Sequence, residues 1–269
     1  FIFLLDVQKL NLIETAFFYT IHTLNCKVLV MSNPSAAILV IGDEILSGRT
    51  RDSNLHYLSC ELTKIGIYLQ EARLVQDKAA EIVDAVKWLS SKYDYLFTSG
   101  GIGPTHDDIT ADCIAEAFGA EINVREDAFK LLQKYYLSQN IDFNNSRQRM
   151  ARIPNDAKLI ENPISVAPGF QLENVFVMAG VPNIFQSMVQ SILPSLKSGK
   201  PLLSKSVKIP RGEGEIAANL KKIASNHKNV SIGSYPYNNQ GKFGTNIVVR
   251  GTNSDELDVV AKILMSTLL

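Results

Sequence analysis

Between residues 36 and 119 short apolar runs alternate with amphipathic stretches, and only a few residues join each to the next. This alternation limits the fold more than any other feature of the chain. Residues 36–41 form a continuous apolar run ending at Gly42, as expected of a strand buried on both faces of a parallel sheet. Residues 53–65 follow with Leu55, Leu58, Leu62 and Ile65 on one helical stripe, closed by Gly66. Residues 67–75 read as a second strand. Residues 79–89 read as a second helix, with Ile82, Val83, Val86 and Leu89 facing inward. A third strand over 93–98 runs into Ser99-Gly100-Gly101-Ile102-Gly103, and a helix over 109–118 stops at Gly119. Strand and helix in strict alternation with short links predict an α/β domain with a mostly parallel sheet covered on both sides.

Helices are expected over 126–138 and 146–153, a buried strand over 175–178, and a helix over 183–196 with Pro182 at its start. From Pro201 the pattern changes to strand 204–209, helix 213–224, strands 230–235 and 245–250, and helix 255–268, with residues 236–244 as a hairpin. The expected organisation is one domain over 36–200 and a small α+β module over 201–269. Residues 1–30 hold four of the twelve phenylalanines but are interrupted by Asp6, Lys9, Asn11 and Glu14, too often for a membrane span. They are read as an upstream extension, the working protein starting near Met31.

The 27 basic and 27 acidic side chains leave no net charge, which argues against a nucleic-acid binder and its basic face. Three scattered cysteines without a CxxC pair favour reduced thiols and a cytoplasmic setting.

Two polar, glycine-containing loops follow apolar strands, where open α/β sheets bind ligands. The first is Gly42-Asp43-Glu44-Ile45-Leu46-Ser47-Gly48-Arg49-Thr50. Five residues separate its glycines, Arg49 stands in place of lysine, and two acids lie where a phosphate needs N–H groups, so it is not a P-loop. Asp43 and Glu44 can hold a divalent cation or a ligand hydroxyl, or simply cap a turn. The second loop, Thr98-Ser99-Gly100-Gly101-Ile102-Gly103-Pro104-Thr105-His106-Asp107-Asp108-Ile109-Thr110, leads into a helix. Its glycines let a ligand approach the backbone, and the helix N-terminus favours an anion. His106 stands where a dinucleotide fingerprint requires glycine. Asp107 and Asp108 beside an anion cradle suit Mg²⁺-assisted phosphate chemistry, or alternatively cap the helix.

These two motifs, with Asp52-Ser53-Asn54, Asn162-Pro163, Ala167-Pro168-Gly169-Phe170 and Gly180-Val181-Pro182, resemble the molybdopterin-binding domain of the MoaB/Mog type. The branch they are most similar to is that of the CinA proteins and the matching domain of eukaryotic FAD synthases. The resemblance spans about residues 36–269 and implies a three-layer α/β fold with its ligand pocket at these loops. It implies a catalytic role for Asp108, the acid before the helix, and for Asp77, the acid after the second strand. It further implies ligand contacts by Gly42, Asn54, Ser99, Gly100, Gly101, Gly103, Thr105, Gly180 and Pro182. Asp43, Glu44, Asp107 and Asp108 become candidate ligands of a divalent metal (Mg, Mn or Co). The CinA branch is associated with metal-dependent cleavage of ADP-ribose and the FAD synthase domain with FAD hydrolysis.

The expected function is therefore a metal-dependent hydrolase of a nucleotide pyrophosphate bond. The alternatives are a non-hydrolytic molybdopterin or nucleotide binder serving molybdenum cofactor assembly, and a silent interaction domain. The C-terminal nicotinamide mononucleotide deamidase domain of long CinA proteins has no counterpart before Leu269, so deamidation is not expected. The expected partner is a small nucleotide or pterin, with no nucleic acid and no membrane, and by resemblance the chain self-associates as a homo-oligomer.

Overall fold

A computed structural model describes residues 33–269 apart from Gln240. The reading of residues 1–30 as an extension, and Cys26 with it, lies outside the described residues. Six strands form the main sheet in the order β2-β1-β3-β8-β7-β6. They are β1 (Ser35–Ile41), β2 (Tyr68–Val75), β3 (Tyr95–Ser99), β6 (Lys158–Ile160), β7 (Gly169–Leu172) and β8 (Val175–Met178). The pairs β2–β1, β1–β3 and β3–β8 are parallel, whereas β7 runs antiparallel to both β8 and β6. The α/β class with a mostly parallel sheet holds.

The sheet is covered on both faces because its strands are apolar on both. In β1, Ala37, Leu39 and Ile41 face one core and Ala36, Ile38 and Val40 the other. The first core is closed by α3 (Ala79–Lys92), α4 (Thr110–Phe118) and α5 (Glu126–Ser138). The second is closed by α2 (Asn54–Lys64) and α7 (Pro182–Ile192), through Leu58, Leu62, Phe185, Met188 and Val189. Side chains this deeply buried each contribute roughly 1.5–3 kcal/mol of transfer free energy. Phe97 and Phe176 stack at 5.2 Å between ring centres in the second core.

Two expectations change. The segment 146–153 is not one helix: α6 (Asn145–Gln148) lasts one turn, a 3₁₀ turn (Arg149–Ala151) follows, and β5 (Arg152–Pro154) pairs with β4 (Ile122–Val124). Apolar Met150, Ala151 and Ile153 mimic a helical stripe, but Ile153 needs the extended backbone of β5 to reach the core. Secondly, residues 236–244 are mostly strand. β10 (Ser231–Asn239) and β11 (Lys242–Gly251) pair along their whole length, with Pro236 opposite Thr245. Together with β9 (Leu203–Ile209), α8 (Glu213–Asn226) and α9 (Ser254–Leu268) they form a separate antiparallel layer and core. The helix α1 (Asp43–Leu46) is a single turn within the first polar loop.

The sheet domain begins and ends at one place. Asn33 donates from Nδ2 to the Lys200 carbonyl at 2.7 Å and accepts the Lys200 N–H at Oδ1 at 3.0 Å. The Gly199 N–H donates to the Ile65 carbonyl at 2.9 Å. This clasp lies at the N-terminal ends of β1 and β2, away from the loops considered next. No helix among the described residues is long and apolar enough to cross a membrane.

Candidate functional site at the carboxyl ends of the sheet

Strands β1, β2, β3 and β8 are parallel neighbours, so the loops that leave them all emerge at one edge. There they enclose a cavity of about 570 Å³. Gly42, Glu44 and Thr50 come from the loop after β1, and Asp77 from the loop after β2. Gly100, Gly101, Ile102, Gly103, Asp107 and Asp108 come from the loop after β3, and Gly180, Val181 and Pro182 from the loop after β8. The segment between β6 and β7 adds Asn162, Ser165 and Ala167, and Met150 completes the wall.

The glycine loop is compressed against its neighbours. Gly100 has φ of 114°, and a Cβ there would lie 2.2 Å from the Ile41 carbonyl oxygen. Gly101 has φ of 70°, and its Cβ would lie 2.1 Å from Thr110 Oγ1. Only glycine satisfies both backbone and space. Thr110, buried at the start of α4, secures the turn by donating its N–H to Gly101 O and its hydroxyl to Gly100 O, both at 3.0 Å. Among the described residues the N–H groups of Gly101, Ile102 and Gly103 find no backbone partner. Successive free N–H groups in such a turn form an anion-binding concavity.

Neither Asp107 nor Asp108 caps α4, whose first turn has no side-chain cap. They hold the preceding turn instead. Asp108 Oδ2 accepts the Thr105 N–H at 2.8 Å and the Thr105 hydroxyl at 2.6 Å, while Asp107 Oδ1 lies 2.5 Å from the same hydroxyl. That hydroxyl holds the Asp107 carboxyl below its ordinary range. Thr105 itself, expected to touch the ligand, acts here as the brace of two acids that line the cavity.

Asn54 and Ser99 lie beneath the site. Asn54, 4% exposed at the start of α2, donates from Nδ2 to Ser99 Oγ and to the Gly180 carbonyl, both at 2.8 Å. It thus ties the loops after β3 and β8 together, and its Oδ1 is buried without a partner. Asp43 is exposed and outside the cavity wall, and its N–H donates to Asp77 Oδ2 at 2.9 Å. Burial pushes the Asp77 carboxyl up, against that hydrogen bond, and the negative charges of Asp43, Glu44 and Asp107 push the same way. His106 is fully exposed and outside the cavity wall, its Nδ1 3.8 Å from Asp107 Oδ1. Pattern reading of the sequence missed Met150 and Ser165, because residues 146–153 resembled a plain helix and Ser165 sits in a loop without a motif.

Four acids line the cavity (Glu44, Asp77, Asp107 and Asp108), and among the described residues no lysine, arginine or histidine does. Among the described residues no three His, Cys, Asp or Glu side chains gather closely enough to cage an ion alone. Mg²⁺ does not need a cage, because one or two carboxylates and the ligand's own phosphate oxygens suffice. The donor set fits a hard cation bound jointly with a phosphate ligand.

The family model described as "Probable molybdopterin binding domain" matches residues 37–198, which include every one of these loops. The chain belongs to this family. The molybdopterin-binding-domain portion is followed by a match to the model described as "FAD synthase, middle domain" over residues 201–269. An Archaeoglobus fulgidus protein is 31% identical over 199 residues, covering 74% of this chain and 84% of that protein. A probable FAD synthase of Caenorhabditis briggsae is 30% identical over 252 residues, and the match spans only 48% of that longer protein. A crystal structure of a CinA protein of unknown function from Thermoplasma acidophilum superposes with a TM-score of 0.57 at 30% identity, covering 61% of this chain and 98% of that one. The molybdopterin-binding-domain fold, its CinA likeness and its FAD synthase likeness thus coincide in one chain.

Proposed function

We propose that this chain hydrolyses the pyrophosphate bond of a small nucleotide diphosphate ester, of the ADP-ribose or FAD class, with a divalent cation. The observation that carries this reading is the placement of the unpartnered N–H groups of residues 101–103 and the carboxylates of Asp77, Asp107 and Asp108 around one cavity. The N–H row holds a phosphate. Asp108, braced by Thr105, and Asp107 would hold Mg²⁺, Mn²⁺ or Co²⁺, with Glu44 and Asp77 as further acids of the site and Asp43, outside the wall, tied to Asp77 through its N–H. When bound, the cation polarises a phosphoryl oxygen and lowers the pKa of a coordinated water. Burial pushes the Asp77 carboxyl up, which raises its affinity for a proton and favours its acting as the base toward water. Ile102, Met150, Val181 and Ile184 offer apolar surface for a ring system. Gly42, Gly180 and Pro182 shape the opposite rim. The protein works as a cytoplasmic homo-oligomer in this reading.

The test is incubation of the full chain with ADP-ribose and with FAD, with and without Mg²⁺, Mn²⁺ or Co²⁺. AMP release that disappears in Asp108→Ala supports the hydrolase; no turnover of either substrate with any of the three metals sinks it.

A second reading is favoured by the family model that matches residues 37–198, whose description is molybdopterin binding. In it the same cavity binds a pterin phosphate without cleaving it, in the service of molybdenum cofactor assembly. Tight molybdopterin binding by a chain that releases no AMP supports that reading instead.

A further inference from the structure

Among the described residues, the cavity that the proposed function assigns to a diphosphate is lined by four acids and no cationic side chain. A bound cation can offset some of a pyrophosphate's charge, yet the outer phosphate oxygens would still face carboxylates. We propose that Arg149 supplies the missing positive charge by reaching across the glycine loop to the ligand's phosphate, and that it makes the site selective for diphosphates. This inference rests on the phosphate-binding part of that reading, not on turnover.

Arg149 belongs to the 3₁₀ turn that the sequence disguises as helix, next to Met150 in the cavity wall. A second, small cleft behind the glycine loop shares Gly101, Ile102, Gly103, Asp108 and Met150 with the main cavity, and Arg149 lines it. The free N–H groups of residues 101–103 lie on this shared strip. Arg149 Nη2 contacts the Asp108 carbonyl oxygen at 3.4 Å, a long hydrogen bond to a neutral acceptor. Its neighbours are committed elsewhere. Arg152 pairs with Asp112 at 2.5 Å and Arg125 with Asp127 at 2.5 Å, whereas Arg149 has no ion pair among the described residues. Arg149 is exposed, so its guanidinium can leave a weak carbonyl contact for a charge-assisted, bidentate grip on phosphate at little cost.

The experiment compares wild type, Arg149→Ala and Arg149→Lys by isothermal titration with ADP-ribose, inorganic pyrophosphate and adenosine in the presence of Mg²⁺. Thermal unfolding of each variant checks that the fold is kept. Loss of one charge-assisted contact corresponds to roughly a tenfold or greater weakening. That weakening is expected for ADP-ribose and pyrophosphate in Arg149→Ala. Arg149→Lys should recover part of it, since a point charge lacks the bidentate fork, and adenosine binding should not change. An equal loss for adenosine, or unchanged pyrophosphate affinity in Arg149→Ala, overturns the assignment. Diphosphate binding that depends on Arg149 without AMP release retains this assignment and removes the hydrolase. AMP release with an unchanged KM in Arg149→Ala does the reverse. A wild-type chain that binds neither ADP-ribose nor pyrophosphate removes both.

Discussion

The Thr105 N–H donates to Asp108 Oδ2 at 2.8 Å, and the Thr105 hydroxyl lies 2.6 Å from the same oxygen. The turn thereby fixes one carboxylate oxygen and leaves the other without a hydrogen-bond partner among the described residues. Thr105→Val keeps the side-chain shape and the backbone bond but removes the hydroxyl. A hydrogen bond to a charged group contributes about 1.5–3 kcal/mol, so AMP release should slow by roughly tenfold or more. Asp108→Asn should slow it by at least about a hundredfold. Steady-state rates with unchanged circular dichroism check both, and a Thr105→Val enzyme as fast as wild type would show that the brace is idle.

Gly101→Ala should destabilise the sheet domain and weaken phosphate binding together. The left-handed backbone costs a side-chain residue roughly 1–2 kcal/mol, and the clash with Thr110 Oγ1 adds to it. Urea unfolding gives the first effect, and titration with inorganic pyrophosphate the second.

Asn54→Ala breaks the tie between Ser99 and the Gly180 carbonyl, two buried bonds at 2.8 Å. A loss of about 1–3 kcal/mol is expected in urea unfolding. Asn54→Asp should be worse, because it replaces a donor with a buried charge facing a carbonyl.

The sequence displays the parallel half of the sheet because each strand there is a continuous apolar run followed by a helix with its own stripe. It conceals β4, β5, β6 and β7, three or four residues each, whose identity as strands comes from partners far along the chain. The site was legible to the same extent. The glycines and acids sit in two contiguous motifs, but Asn54 as a buried tie, Thr105 as a brace and Arg149 beside the loop depend on which loops lie against one another. Spacing also allows Asp107 or Asp108 to cap α4; the contacts both make with Thr105 decide against it.

Glu71 predicts a pH effect. The Tyr93 hydroxyl at 2.7 Å, then Arg73 at 2.8 Å and Lys92 at 3.1 Å, bring its carboxyl down to about 2. The unfolded value is the ordinary one, near 4.5. Stability from this group is therefore complete above about pH 4.5 and is lost as the pH falls toward 2. Glu71→Gln should show a shallower fall of the urea midpoint over that window than wild type.

Burial pushes the Cys113 thiol up to about 11, while Cys60 is exposed on α2. A maleimide at pH 7.5 should label Cys60 in the native protein, and Cys113 only after unfolding. Peptide mass mapping distinguishes them, and native labelling of Cys113 would contradict the packing of α4.

The clasp between Asn33 and Lys200 has a mechanical meaning. Entry and exit of the sheet domain are knotted at one point, and the ligand cavity lies at the other ends of the strands, roughly 20 Å away along the seven residues of β1. Tension on the flanking polypeptide loads this clasp first, at the end of the sheet opposite the candidate cavity. A domain wired in this way behaves as a cassette, transferable between longer polypeptides with its pocket undisturbed.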